Sequence, residues 1–298
     1  MLAKRISLDE LICDLKAKAV NHSEYFHYTR LEYYEKMMQE IDLPENGGVH
    51  RLLWLTPATR TNDGLERKNG DHAYLGCFTY SHYENVGMWF MYGKEKSDAI
   101  RIGFDNAALK SWLCKGEGGK IDKTINIYGV IDNKGQIAYK KIPSSEIENV
   151  MFCDVAYVLS KEDIEHHKWD GNVEWHRDYY HVTSTDRAIV RSCGNRLVSD
   201  DFTDVVCRKL PFCFKKKGWS GEREVRLIVT LKPKFSKRFS HVAIPFDEPL
   251  KCIDDDTARH ITLSPWYEKG EIPSKINETN AKRSVFWQEL NFKSRLTP

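Results

Sequence analysis

The sequence predicts one mixed α+β domain over residues 1–298, and three observations predict it. Short apolar runs with the period of strands interleave with short runs at helical spacing along the chain. No internal repeat, low-complexity tract or convincing linker divides them. The composition, 41% hydrophobic and 30% charged over 298 residues, is that of a globular protein able to bury a sizeable core.

Ser7-Leu-Asp-Glu10 is a capping box, and Leu8, Leu11, Ile12 and Leu15 follow at helical spacing, which predicts an N-terminal helix within residues 1–20. Tyr25 to Tyr28 reads as a short aromatic strand. Thr29-Arg-Leu-Glu32 is a second capping box, with Thr29 as N-cap, opening a helix toward Ile41. Strands are expected over Arg51 to Thr56 and Tyr74 to Ser81, with a loop at Pro57 to Asp63 between them. A turn at Glu84-Asn85 leads into a short helix, Val86 to Tyr92, stopped by Gly93. Trp89 reads as core. Ala99 to Phe104 is a strand and Asn106 to Leu113 a helix. Ile125 to Ile131 and Gln136 to Ile142 form a hairpin around Asp132-Asn-Lys-Gly135. Val150 to Leu159 reads as one strand. The polar, aromatic stretch that follows lacks a clear period, so an insertion is drawn at about 160–200. Within it Thr183 to Arg196 reads as helical, and Asp201 to Leu210 after it also does. Ile261 to Ser264 is a last strand, Ala281 to Leu290 a helix, and Phe292 to Leu296 a basic tail.

Several function classes drop out. No apolar run approaches the ~20 residues of a membrane span, and the first residues carry no secretory signal, so a soluble cytoplasmic protein without membrane partners is expected. A formal charge of +2 implies no overall preference for polyanions. The eight cysteines are scattered without a Cys-x-x-Cys pair and read as reduced, half-buried thiols. His166, His167 and His176 lie in a polar connector, and no metal is assigned.

Chemistry concentrates in Gly218-Trp-Ser-Gly-Glu222-Arg-Glu224-Val-Arg226. Turn residues run into a strand in which Val225, Leu227, Val229 and Leu231 share one face. Glu222, Glu224 and Arg226 share the other, at or just before the strand entrance. Carboxylates are weak strand formers, so two of them beside a guanidinium invite a functional reading. The arginine is expected to keep both ionised, suited to stabilising a developing positive charge. A salt-bridged edge strand is the plain alternative. Around this stretch lie Lys215, Lys216, Lys217 and Trp219, with further cations and aromatics on either side. They fit nucleic-acid backbone contact with base stacking, or a solvated rim around an acidic site.

These segments, taken in order, resemble a bacterial family, the domain of unknown function 2971. The resemblance rests on Phe26-His27-Tyr28-Thr29, Leu53 to Asp63, Cys77-Phe78-Thr79, Met88-Trp89-x-x-Tyr92-Gly93, Ile100 to Phe104 and Gly218-Trp-x-x-Glu222-Arg-Glu224-x-Arg226. More distantly, the order is similar to ADP-ribosyltransferases of the His-Tyr-Glu type. That likeness implies a split, mixed or antiparallel sheet flanked by helices, and NAD as co-substrate. His27, with Tyr28 and Thr29 beside it, would grip the adenosine ribose, and Tyr92 would stack on nicotinamide. Glu224, paired with Arg226, would stabilise the ribosyl cation while Glu222 prepares the acceptor. Thr79-Tyr-Ser81 is suggestive of the Ser-Thr-Ser motif of the related Arg-Ser-Glu branch. Tyr28 departs from the class, which has glycine there. The resemblance implies a macromolecular acceptor, nucleic acid before protein, and by analogy a toxin or phage-defence setting with a neutralising antitoxin partner. Two other classes stay open: an NAD-independent RNA nuclease, and a non-enzymatic binding or effector module.

Overall fold

The computed structural model describes residues 4–43, 48–61, 70, 72–93, 98–113, 125–133, 135–159, 179–182, 187–190, 196–199, 212–236, 238–255, 260–267, 276 and 281–286. The fold is mixed α+β, with six α-helices among the described residues and many strands in mixed and antiparallel pairings. The chain divides into two compact units. The first comprises Met1–Asn21, Thr56–Gly76 and Pro143–His241, and the second comprises His22–Leu55, Cys77–Ile142 and Val242–Pro298. Each is assembled from three separate stretches, so no single cut in the sequence separates them.

In the first unit the helix Leu8–Ala19 follows the strand Lys4–Ser7. Its residues Leu11, Leu15 and Ala19 recur every four positions and are fully buried; Leu11 and Leu15 belong to the stripe that periodicity predicted, whereas Ile12 is half-buried. The helix packs on the strand Ile147–Asp154, which runs antiparallel to Glu224–Leu231. The expected strand from Val150 to Leu159 is broken at Val155, and Ala156–Leu159 continues as a separate strand. It pairs in parallel with both Arg196–Ser199 and Phe214–Lys216. The helix expected over Thr183 to Arg196 is a correction: Arg187–Val190 is a strand, antiparallel to Lys4–Ser7 and to Tyr179–Val182. Four apolar-rich residues cannot distinguish the two periods, and pairing on both sides decides for the strand.

In the second unit the strand Glu24–Arg30 pairs antiparallel with Ala99–Asp105 over its whole length. Ala99–Asp105 pairs in turn with Ile261–Leu263. Leu52–Leu55 pairs with Val242–Pro245, and the hairpin Tyr128–Asn133/Gln136–Lys141 forms where expected. Leu43, Leu52, Tyr128, Val130 and Ala243 make a buried cluster. Two expectations are corrected. Thr29 lies inside its strand, and the following helix, Leu31–Met38, starts after Arg30, whose side chain makes no cap. Lys282–Arg283 is a strand parallel to Ile261–Leu263 where a helix was expected to begin. The helix expected over Asp201 to Leu210, the basic tail, the three connector histidines and the end of the loop at Asn62-Asp63 lie outside the described residues.

Candidate active site

The acidic stretch folds as a 3-10 turn, Lys217–Glu222, that runs into the strand Glu224–Leu231. Arg223 joins them with φ of 45°, a left-handed conformation that costs a non-glycine residue about 1 kcal/mol or more. That single left-handed residue turns the chain so that both carboxylates converge on one ammonium. Lys215 Nζ lies 2.6 Å from Glu222 Oε2 and 2.8 Å from Glu224 Oε2. Arg226 grips Glu224 with two parallel bonds, Nε to Oε1 at 2.8 Å and Nη2 to Oε2 at 3.0 Å. Its Nη1 donates to the Phe212 carbonyl at 2.8 Å. The Glu224 backbone N–H donates to the Tyr157 hydroxyl at 2.8 Å.

The edge strand offered as the plain alternative is not what this stretch forms. The strand is flanked on both sides, by Ile147–Asp154 and by the strand beginning at Ala73. Glu222 is 7% exposed, Glu224 3% and Arg226 0%. Buried charges are tolerated because each has an opposite partner at bonding distance. Lys215 is likewise buried. Its charge is committed to the two glutamates and to the Trp219 ring, whose centroid is 5.1 Å from Nζ. Lys215 therefore does not serve as the free phosphate contact that the sequence suggested. The side chains of Lys216 and Lys217 lie outside the described residues.

Glu222 carries a second correction. The sequence led us to expect it ionised, but burial first, and the neighbouring Glu224 charge second, push its carboxyl up to about 7 against the pull of Lys215 and Arg226. A carboxyl that exchanges its proton near neutrality is suited to general acid–base work. Cys153, opposite Arg226 in the ladder, has its thiol 3.5 Å from that of Cys213.

The resemblance placed the other site residues in what is now the second unit. His27 sits mid-strand, with Nδ1 2.8 Å from the Cys77 carbonyl oxygen. A carbonyl can only accept, so Nδ1 holds the proton. Burial pulls the imidazole pKa below its ordinary value, against the opposing effect of that bond. The ring is therefore neutral and Nε2 is an acceptor. The strands Glu24–Arg30 and Ala73–Thr79 are in register only at Phe26 with Thr79. Next to that pair the His27 imidazole bonds the Cys77 carbonyl.

Tyr28 is buried on the opposite face, as strand alternation requires. Its ring meets Trp89 edge-on with centroids 4.8 Å apart and lies 6.4 Å from Tyr92. Its hydroxyl accepts from the Asn85 N–H. The structure thus groups Tyr92 with Tyr28 and separates both from His27. Thr29 shares the face of His27 and is buried. Thr79 Oγ1 accepts from the Ser81 N–H at 3.1 Å, and Ser81 Oγ donates to the Tyr83 carbonyl at 3.0 Å, so both hydroxyls shape the turn after the strand.

Sequence reasoning passed over Arg101, which pairs with Tyr28 across the ladder. It is buried, its Cζ lies 3.5 Å from the Phe26 ring centroid, and Nη2 donates to the carbonyls of Ser81 and His82. It also passed over His50 and Asp247, joined at 2.8 Å. Arg101 looked like one more residue of a strand, and the histidine–aspartate pair spans 197 positions. No local pattern announces either.

Comparison of the chain with protein-family models, with curated proteins and with solved structures finds no match. Among the described residues no cluster of three or more His, Cys, Asp or Glu could hold a metal ion. No helix among them is long and apolar enough to cross a membrane.

Proposed function

We propose that the protein transfers ADP-ribose from NAD to a macromolecular acceptor. The observation that carries this reading is the unequal environment of the two glutamates. Both Glu224 oxygens are engaged by cations, which suits a fixed negative charge beside a developing ribosyl cation. Glu222 has a carboxyl that titrates at about 7, which suits taking the acceptor's proton. The neutral His27, with Nε2 as acceptor, is chemically fit to receive a ribose hydroxyl. Tyr92, grouped with Tyr28 on the face opposite His27, is not given the nicotinamide-stacking role that the resemblance implied. Nucleic acid is the first acceptor and protein the second. Among the described residues Arg223, Lys232, Lys234 and Arg238 are exposed cations close in sequence to the acidic stretch, and Arg238 lies over the Phe235 ring, a pairing of charge and aromatic that favours nucleic acid.

The burial of all four charged groups favours a second reading, an ion cluster that serves folding in a non-enzymatic module. Incubation with labelled NAD and separate pools of RNA, DNA and lysate protein decides between them. Transfer to one pool is expected, lost in Glu224→Gln. In Glu222→Gln the acceptor should stay unlabelled while NAD is still split by water. Unchanged transfer by folded Glu224→Gln would remove the catalytic assignment. No NAD consumption by the wild-type chain would leave the second reading.

A further inference from the structure

The second unit holds a cleft of about 530 Å³ whose lining includes Glu40, His50, Arg51, Trp112, Asp247 and Lys251. That volume suits a small organic molecule. His50 ends the strand Val49–His50, and Asp247 opens the helix Asp247–Asp255. The two Asp247 oxygens are both committed. Oδ2 accepts from His50 Nδ1 at 2.8 Å, and Oδ1 accepts from the Arg51 backbone N–H at 2.8 Å. A carboxylate held on one side by a backbone amide fixes the tautomer and orientation of the imidazole it faces, which leaves Nε2 as the acceptor.

Glycine at position 48 keeps a side chain away from that nitrogen. A Cβ on Gly48 would stand 3.3 Å from His50 Nε2. The remaining charges sort by commitment. Glu248 accepts from the Ser111 hydroxyl at 3.1 Å, and Glu40 lies 3.8 Å from Arg51. Lys251 follows Asp247 by four residues, so the two share a helix face. It is exposed, and among the described residues its ammonium has no bonded partner. The cleft therefore presents one uncommitted cation and one oriented imidazole nitrogen.

We infer that this cleft is a ligand site for a small hydroxylated anion, its anionic group on Lys251 and a hydroxyl donating to His50 Nε2. A phosphorylated sugar and a hydroxycarboxylic acid share that chemistry. The site stands independently of ADP-ribosyl transfer.

Calorimetric titration of the full chain tests it, with ribose 5-phosphate and glycerate as the two probes and ribose and inorganic phosphate as halves of the first. Saturable binding of ribose 5-phosphate or glycerate is expected, with the stronger probe identifying the anion preferred. Each half alone should bind at least tenfold more weakly. Lys251→Ala, a surface change that leaves folding intact, should weaken the stronger probe about tenfold, as should His50→Gln. Gly48→Ala should weaken it by crowding Nε2. Failure of both probes to bind at millimolar concentration would overturn the proposal. Wild-type affinity in both Lys251→Ala and His50→Gln would overturn it equally.

Discussion

Replacing Glu222 by glutamine should make the protein more stable at pH 8 than the wild type and leave it within about 1 kcal/mol of the wild type at pH 5. The carboxyl titrates at about 7 in the folded chain against an ordinary 4.5, because burial and Glu224 oppose its charge more strongly than Lys215 and Arg226 favour it. Between those values the folded chain holds a proton that the unfolded chain has lost. The proton's contribution to stability is fully present below about 4.5 and is lost as pH rises through about 7. At about 1.4 kcal/mol per pH unit, the raised value corresponds to at most about 3 kcal/mol. Glutamine cannot ionise, and its carbonyl can still accept from Lys215, so Glu222→Gln escapes the loss. Urea midpoints for both chains at pH 5, 6, 7 and 8, with the slope m held equal, measure the difference. Other groups titrate alike in both chains and cancel. The expected gap opens from below about 1 kcal/mol at pH 5 to about 3 kcal/mol in favour of Glu222→Gln at pH 8. The opposite outcome, a wild type that gains on the variant as pH rises, would refute the reasoning. It would show that two buried cations outweigh burial and keep Glu222 ionised, and the proton-taking role would fall with it.

Three further outcomes follow from single contacts. Arg226→Met removes the two-pronged grip on Glu224 and leaves the Phe212 carbonyl without its donor. Lys215 still faces Glu224, so the urea-unfolding loss should fall at the lower end of the about 3–5 kcal/mol that breaking a buried ion pair costs, and a loss below about 1 kcal/mol would contradict the burial of the pair. Asn85→Ala removes the side-chain oxygen that accepts from the Gly87 N–H at 2.8 Å and caps the helix Val86–Tyr92. It should cost about 1 kcal/mol, read as a lowered thermal midpoint. Gly135→Ala places a side chain at φ of 91° in the hairpin turn, with no neighbour within 4 Å to resist or hold it. The backbone alone should cost about 1 kcal/mol by the same measurement, and a stabilised variant would count against the turn geometry.

The fold was legible in the sequence wherever one segment carried its own period or its own cap. Asn106–Leu113 forms as its pattern predicts, and Val86–Tyr92 lies between the Asn85 cap and Gly93. It was illegible where pairing between distant segments decides. Lys282–Arg283 has no apolar signal, and only its parallel partner makes it a strand. Arg187–Val190 is too short for its period to speak, and two neighbouring strands settle it.

The candidate site divides along the same physical line. Strand parity does place Glu224 and Arg226 on one face, and that much needed only the spacing. What parity cannot supply is the environment of that face. Glu222, Glu224 and Arg226 at alternate positions fit an exposed, salt-bridged edge because charges usually are exposed. Here the same face is buried, and it can be buried only because Lys215 arrives from another strand with the missing positive charge. Burial then reverses the expected effect of the arginine on Glu222. One carboxylate is left fixed among cations, and its neighbour two residues earlier is left holding a proton near neutrality. The difference between the two glutamates, which no reading of Glu-x-Glu could assign, is therefore set by tertiary structure through a lysine and a single left-handed residue, Arg223.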